Sequence, residues 1–222
     1  MRVALIASVL ALCAPWSPAT AQDARDRFIA ECRAATVAEW PDVGERVDGM
    51  CAERWPSVAR SNPLVDILLS PFAGDGRPPI TAEDLRGRTQ LVRWGSATPQ
   101  GVEGRFSDVE VRIPADPPLR LVILWAAVGE PVPYEIVDAL RLRGASVGLI
   151  GCYDYGATES NSVYRVAAPG RTPFAMTIYR RETPTANATS TLAVTADADG
   201  RIPTLESVRL AEPAAEWKTR CP

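Results

Sequence analysis

The stretch VEVRIPADPPLRLVILWA, residues 109–126, decides the fold of this chain. Its first half (109–113) alternates valine or isoleucine with glutamate or arginine, which is the pattern of a half-buried β-strand. Its second half (119–126) is apolar on both sides and predicts a strand at the centre of a sheet. The prolines between the halves are typical of a rigid loop. The stretch therefore predicts a β-sheet.

The residues that follow predict one helix and then a run of strands. Apolar side chains recur at helical spacing from Tyr134 to Arg143, and Gly144 is a typical residue for the end of a helix. The later segments have the alternation of strands and are joined by turn-rich loops. These segments are ASVGLIGCY, NSVYRVAA, PFAMTIYRR, STLAVTA and LESVRL.

The residues before the stretch are helical in pattern. A first helix is predicted over 23–40 and ends at Pro41, because proline disfavours the helical conformation at the residue before it. A second helix is predicted to begin with Asp42 as its N-cap and to kink or end at Pro56. A short third helix is predicted over 63–69.

The sequence therefore predicts an α+β fold. An N-terminal, disulfide-stapled helical hairpin is followed by a mainly antiparallel β-sheet with one covering helix. The predicted segments are a signal peptide (1–21), the helical hairpin (22–70), a Pro/Gly-rich linker (71–89) and the α+β sheet domain (90–222).

The first residues resemble an export signal. Arg2 is followed by a mainly apolar run over 3–13, and Ala19-Thr20-Ala21 supplies the small-residue pattern that signal peptidase recognises. The run is too short to span a bilayer. We therefore expect a soluble periplasmic or secreted protein after cleavage near Ala21, without a transmembrane segment in the mature chain.

Composition narrows the source and the partners. Only one of the 24 basic residues, Lys218, is lysine, an arginine bias typical of a GC-rich bacterial genome. The net charge is −3 and the two signs are interspersed, so the chain lacks the basic footprint of a nucleic-acid-binding protein. The sequence also predicts no cofactor.

Four cysteines follow the predicted signal peptide, an even number that favours two disulfides in an oxidising compartment. Cys32 and Cys51 lie symmetrically about the turn at 40–42, which places them at the same height in a helical hairpin. Cys152 is then predicted to bind Cys221 and to fix the C-terminal tail. The alternative is a zinc site, but the chain has neither C-x-x-C spacing nor histidine.

The segment GASVG (144–148) matches the pattern of a serine nucleophile. A nucleophile elbow runs from strand into helix, whereas Ser146 is predicted to follow a helix and enter a strand. The chain has no histidine, so a Ser-His-Asp triad is excluded. We therefore expect Ser146 to be structural.

The segment TADADGRIPTLE (195–206) resembles a calcium-binding loop. Asp197, Asp199 and Glu206 occupy ligand positions, but Thr195 stands where an aspartate is expected. Strand-like flanks and Pro203 also depart from the helix–loop–helix pattern. A turn between two strands explains the same residues, so the sequence favours no metal site.

Two carboxylates, Asp154 and Glu159, flank the tyrosine-rich loop after Cys152. A carboxylate pair across a cleft hydrolyses glycosides, although the same residues are common in an exposed loop.

Three functions are therefore open. The leading hypothesis is a non-catalytic exported protein that binds an envelope protein or glycan. The alternatives are a histidine-free glycan hydrolase that uses Asp154 and Glu159, and a carrier of a small apolar ligand between sheet and helix.

Overall fold

The computed structural model describes residues 18–72, 81–128, 135–154, 158–182 and 189–220. These ranges contain five α-helices and one eight-stranded antiparallel sheet, which confirms the α+β prediction. The chain divides into two compact units between Trp55 and Pro56. The helices are α1 (Pro18–Glu39), α2 (Arg46–Leu69), α3 (Ala82–Arg88), α4 (Ile136–Leu142) and α5 (Leu205–Ala211). No helix within the described ranges is long and apolar enough to cross a membrane.

The first unit contains α1 and the N-terminal part of α2, which pair as the predicted hairpin. Ala24, Phe28 and Cys32 form a buried stripe along α1, because residues four apart lie on one face of a helix. Cys32 forms a disulfide with Cys51 of α2, with 5.9 Å between their Cα atoms. Phe28 also packs against Trp55, with ring centroids 5.8 Å apart. The predicted hairpin register and its disulfide are both confirmed.

The second helix differs from the prediction. It is continuous through Pro56 and Pro63, so the helix does not end at Pro56 and the separate third helix over 63–69 is wrong. Asp42 is also not its N-cap, since that residue lies in a short 3-10 turn at Pro41–Val43. Each internal proline removes a helical hydrogen bond at a cost of about 3 kcal/mol, which burial of the following segment offsets. Its buried apolar residues are Val58, Leu64, Val65, Ile67, Leu68 and Leu69.

The sheet has the strand order β1-β2-β3-β4-β8-β7-β6-β5. The strands are β1 (Arg93–Trp94), β2 (Gly101–Phe106), β3 (Val109–Pro114), β4 (Arg120–Val128), β5 (Ser146–Asp154), β6 (Glu159–Ala167), β7 (Phe174–Glu182) and β8 (Thr189–Asp197). Strands that pair are neighbours along the chain, with one exception: β4 pairs with β8. The stretch quoted first forms β3 and the central strand β4, as predicted.

One face of the sheet forms the core of the second unit. The Phe72 ring stacks on Phe174 of β7, with centroids 4.0 Å apart. At the end of α3, the carbonyl of Thr89 accepts a hydrogen bond from the Trp94 indole at 3.2 Å. Strand register places Trp94 and Phe174 on the same face. We call it the core face.

The predicted linker over 71–89 contributes to this core. Phe72 and Leu85 have no measurable exposure, and residues Ala82–Arg88 are helical. Helix α3 begins at the N-cap Thr81, whose hydroxyl accepts a hydrogen bond from the Asp84 amide at 3.1 Å. The rest of the predicted linker, residues 73–80, lies outside the described residues.

The opposite face carries α5, which the sequence analysis wrongly predicted as a strand. Thr204 caps this helix and exchanges hydrogen bonds with Ser207 in a capping box. Leu205 and Val208 then pack with Tyr153 and Trp217 in a small apolar cluster. The covering helix predicted from 134–143 is α4, and α5 covers the other side of the sheet.

Candidate functional site

The face of the sheet opposite the core face is exposed or half-buried over most of its area, and we call it the open face. Antiparallel register places side chains of consecutive strands side by side on it. Charged residues occupy one end, on β1–β3, and threonine, alanine, valine and leucine occupy the centre. The central residues are Val122, Leu124, Ala193, Thr195 and Thr177, and all are half-buried.

The charged end of the open face is built on three short strands. Arg112 of β3 contacts the carboxylate of Glu110, and its Nε lies 3.3 Å from Oε1 of Glu103. The hydrogen bond that Arg112 donates to Glu110 raises the pKa of Arg112, the charge of Glu103 adds a smaller contribution, and partial desolvation acts in the opposite direction. Arg93 and Arg105 lie directly opposite each other on β1 and β2.

These residues surround an open recess of about 360 Å³. Gly95 and Gly104 complete its lining. A Cβ on Gly104 would lie 2.5 Å from Cγ1 of Val92 and 2.8 Å from Cε3 of Trp94, so glycine is required for β1 to pack against β2. The sequence analysis did not identify Arg93 or Arg105. The available signal was the alternation of charge over 101–106, which places Glu103 and Arg105 on one face of a strand.

The far end of the open face carries a tyrosine network. The buried Tyr153 hydroxyl donates to Oε2 of Glu212 at 2.7 Å and accepts from Nδ2 of Asn161 at 3.0 Å. The Tyr153 ring meets Trp217 edge to face, with centroids 4.7 Å apart. This network joins β5 and β6 to the segment after α5. Both hydrogen bonds of the Tyr153 hydroxyl are made within the protein, which indicates a structural role, although Oδ1 of Asn161 is buried without a hydrogen-bond partner.

The two carboxylates predicted as a hydrolytic pair are not brought together. Asp154 pairs with Ser160 across β5 and β6, so their side chains share a face. Glu159 is the neighbour of Ser160 and therefore points to the opposite face. Residues 155–157 between them lie outside the described residues. The geometry is unsuited to a carboxylate pair across a common cleft.

Glu159 has structural partners instead. It lies opposite Arg181 on β7, and its carboxylate bonds the Tyr179 side chain. Partial burial of Tyr179, followed by this hydrogen bond, raises the pKa of the phenol. A raised pKa keeps the phenol neutral, which is unfavourable for a tyrosinate nucleophile or base.

Ser146 has the predicted placement. It is the exposed first residue of β5, two residues after Gly144, which has φ of 78°. The chain therefore passes from α4 into a strand, the reverse of the order that presents a nucleophile above a sheet.

Cys152 is disulfide-bonded. Its predicted partner, Cys221, lies outside the described residues. The backbone of Cys152 exchanges two hydrogen bonds with Lys218, at 3.0 and 2.7 Å, so the tail runs beside β5 just before Cys221. The pairing of Cys152 with Cys221 remains a prediction that this arrangement favours.

The calcium-loop residues are dispersed. Asp197 ends β8 opposite Arg120, whereas Glu206 lies exposed in the first turn of α5. Asp199 accepts a hydrogen bond from the amide of Arg201 at 3.0 Å and ion-pairs with its guanidinium at 3.4 Å. In the described part of the chain, no three His, Cys, Asp or Glu side chains are placed to hold a metal ion.

Asp197 has the most perturbed environment of these residues. Burial, together with the nearby charge of Asp199, raises the pKa of Asp197, while Arg120 acts in the opposite direction. Because the folded state disfavours the ionised form of this side chain, the free energy of unfolding should depend on pH.

Neither the known protein families nor the curated proteins contain a match to this chain.

Proposed function

We propose that this chain is an exported, non-catalytic binding protein of the bacterial envelope, and that it binds an envelope protein or glycan through the open face. The observation that carries the proposal is the composition of that face. Half-buried apolar and threonine side chains at its centre are flanked by arginines and glutamates. An apolar centre within a polar rim is the usual composition of a binding surface.

Export is supported by the cysteines. The Cys32–Cys51 disulfide joins two helices, and Cys152 is also disulfide-bonded. Such bonds persist mainly in oxidising compartments, in agreement with the signal-like residues 1–21. A fusion of residues 1–40 to a reporter enzyme that is active only outside the cytoplasm tests this part of the proposal. An inactive fusion contradicts export.

The two alternatives have less support. A glycan hydrolase needs its carboxyl groups on one cleft, and the register of β5 and β6 separates Asp154 from Glu159. An apolar carrier needs space between sheet and helices, and the stacked rings of Phe72 and Phe174 are fully buried on the core face.

The binding surface is tested by co-purification of the tagged mature protein from its native envelope after mild cross-linking. Ala193→Arg introduces a long cation at the centre of the open face. Ala115→Arg introduces the same side chain at an exposed loop position and serves as the matched control. We expect Ala193→Arg to lose the cross-linked partner and Ala115→Arg to retain it, with both variants folded by circular dichroism. Equal capture by the two variants would place the binding surface elsewhere.

A further inference from the structure

The charged end of the open face contains a like-charge pair. Arg93 and Arg105 are direct cross-strand neighbours on β1 and β2. Opposed side chains of this kind have Cβ atoms about 5 Å apart, and like charges at this spacing destabilise the pair. An anion bound between the two guanidinium groups would offset this repulsion.

The nearby carboxylates, Glu110 and Glu103, contact Arg112, although Glu110 also lies opposite Arg105 in the register of β2 and β3. Within the described ranges, Arg93 and Arg105 have no ion pair with a carboxylate. Both residues line the recess of about 360 Å³.

The charge of the recess selects the ligand. Its lining contains three arginines, at 93, 105 and 112, and two glutamates, at 103 and 110, which leaves one net positive charge. A guanidinium binds a carboxylate through two parallel hydrogen bonds, and two guanidinium groups are able to hold both oxygens of one carboxylate. A phosphate dianion would bring a second negative charge against the two glutamates.

We propose that the recess binds a carboxylate group of the ligand, held between Arg93 and Arg105. The inference rests on the proposed function, since it gives the chemistry that one end of the binding face recognises. The recognised group is then a carboxylate that the ligand presents at this end, while the rest of the ligand extends over the apolar and threonine side chains of the centre.

The first test is an acetate titration of the mature protein followed by NMR, with chloride used to hold ionic strength constant. We expect saturable shifts of the side-chain Nε–H signals of Arg93 and Arg105. Arg105→Gln should weaken binding by about tenfold or more, because it removes one of two charged donors. Arg165→Gln is the matched control, an exposed arginine on β6 on the same face, and should bind like the parent. Linear, unsaturated shifts, or equal effects of the two variants, would overturn the proposal.

The second test repeats the titration with inorganic phosphate at pH 8 in place of acetate. Binding of phosphate with higher affinity than acetate would overturn the assignment to a carboxylate.

A third test uses a substitution that supplies the carboxylate from the protein itself. Arg93→Glu positions a carboxylate opposite Arg105, so it should abolish acetate binding and raise the melting temperature above that of the parent. A variant that melts lower and still binds acetate refutes the proposal.

These results are separable from those on the proposed function. If acetate does not bind but Ala193→Arg still loses the envelope partner, only the carboxylate-site proposal is refuted. If acetate binds as expected but Ala193→Arg retains the partner, the proposed binding face is refuted and the carboxylate site is supported.

Discussion

Tyr153→Phe is the sharpest test of the network that holds the C-terminal segment on the sheet. The substitution removes only the hydroxyl, which is buried and hydrogen-bonded to Glu212 and Asn161. A hydrogen bond to a charged acceptor contributes about 1.5–3 kcal/mol, and the neutral one about 1 kcal/mol. The two bonds sum to about 2.5–4 kcal/mol, but the half-buried Glu212 is able to bond water in the variant and the ring still packs on Trp217, so we expect a loss of about 2–3 kcal/mol. For a chain of this size this lowers the melting temperature by about 4–12 °C.

The assay is urea unfolding, followed by tryptophan fluorescence and by far-ultraviolet circular dichroism with the disulfides intact. Tyr164→Phe is the matched control: this half-buried tyrosine on β6 has no hydroxyl hydrogen bond within the described residues, so it should change stability by less than about 0.5 kcal/mol. Glu212→Gln, combined with Tyr153→Phe in a double-mutant cycle, should give a coupling of about 1–2 kcal/mol. If Tyr153→Phe is as stable as Tyr164→Phe, the network does not hold the tail and the reasoning is wrong.

Three further predictions use other parts of the chain. Non-reducing peptide mapping should find Cys152 joined to Cys221, and a link from Cys152 to any other cysteine contradicts the tail clamp. Ser146→Ala should change the unfolding free energy by less than about 0.5 kcal/mol and leave partner binding intact, because an exposed hydroxyl is removed; loss of binding without unfolding would make the serine functional. Asp197 has a raised pKa, so the parent should lose stability as pH rises from about 3.8 through the folded pKa. Asp197→Asn should remove that loss, so its melting temperature should rise relative to that of the parent over this pH range. If the difference in melting temperature between variant and parent is the same at every pH, burial of the carboxylate does not destabilise the fold.

The parts of the fold that were predictable have strong local signals. Alternation and apolar runs predicted β3 to β8, and the symmetric spacing of Cys32 and Cys51 predicted their bond. Helix α5 was missed because LESVRL was grouped with the strand-like segments before it, although Leu205 and Val208 are three residues apart and Thr204 and Ser207 form a local cap. The continuity of α2 was missed because its prolines are tolerated only through burial of the residues beyond them, which is a tertiary effect.

The site was less predictable because its contacts are non-local. Tyr153 and Glu212 are 59 residues apart, and no periodicity in the sequence relates them. Arg93 faces Arg105 only through the register of β1, a strand of two residues that is too short for a pattern. The separation of Asp154 and Glu159 onto two faces also depends on register, since one residue of slip moves a side chain to the other face.

The pairing of β4 with β8 has a consequence for how quickly this sheet assembles. Strands β1–β4 and β5–β8 each form a meander of consecutive hairpins, which close over short loops. The two meanders join only through the β4–β8 ladder, which runs from the pair Arg120–Asp197 to the pair Val128–Thr189. Bringing such distant segments together has a larger entropic barrier than forming a hairpin. We therefore expect β4–β8 pairing to limit the folding rate. During synthesis, this side of β4 therefore stays unpaired until β8, the last strand, has left the ribosome.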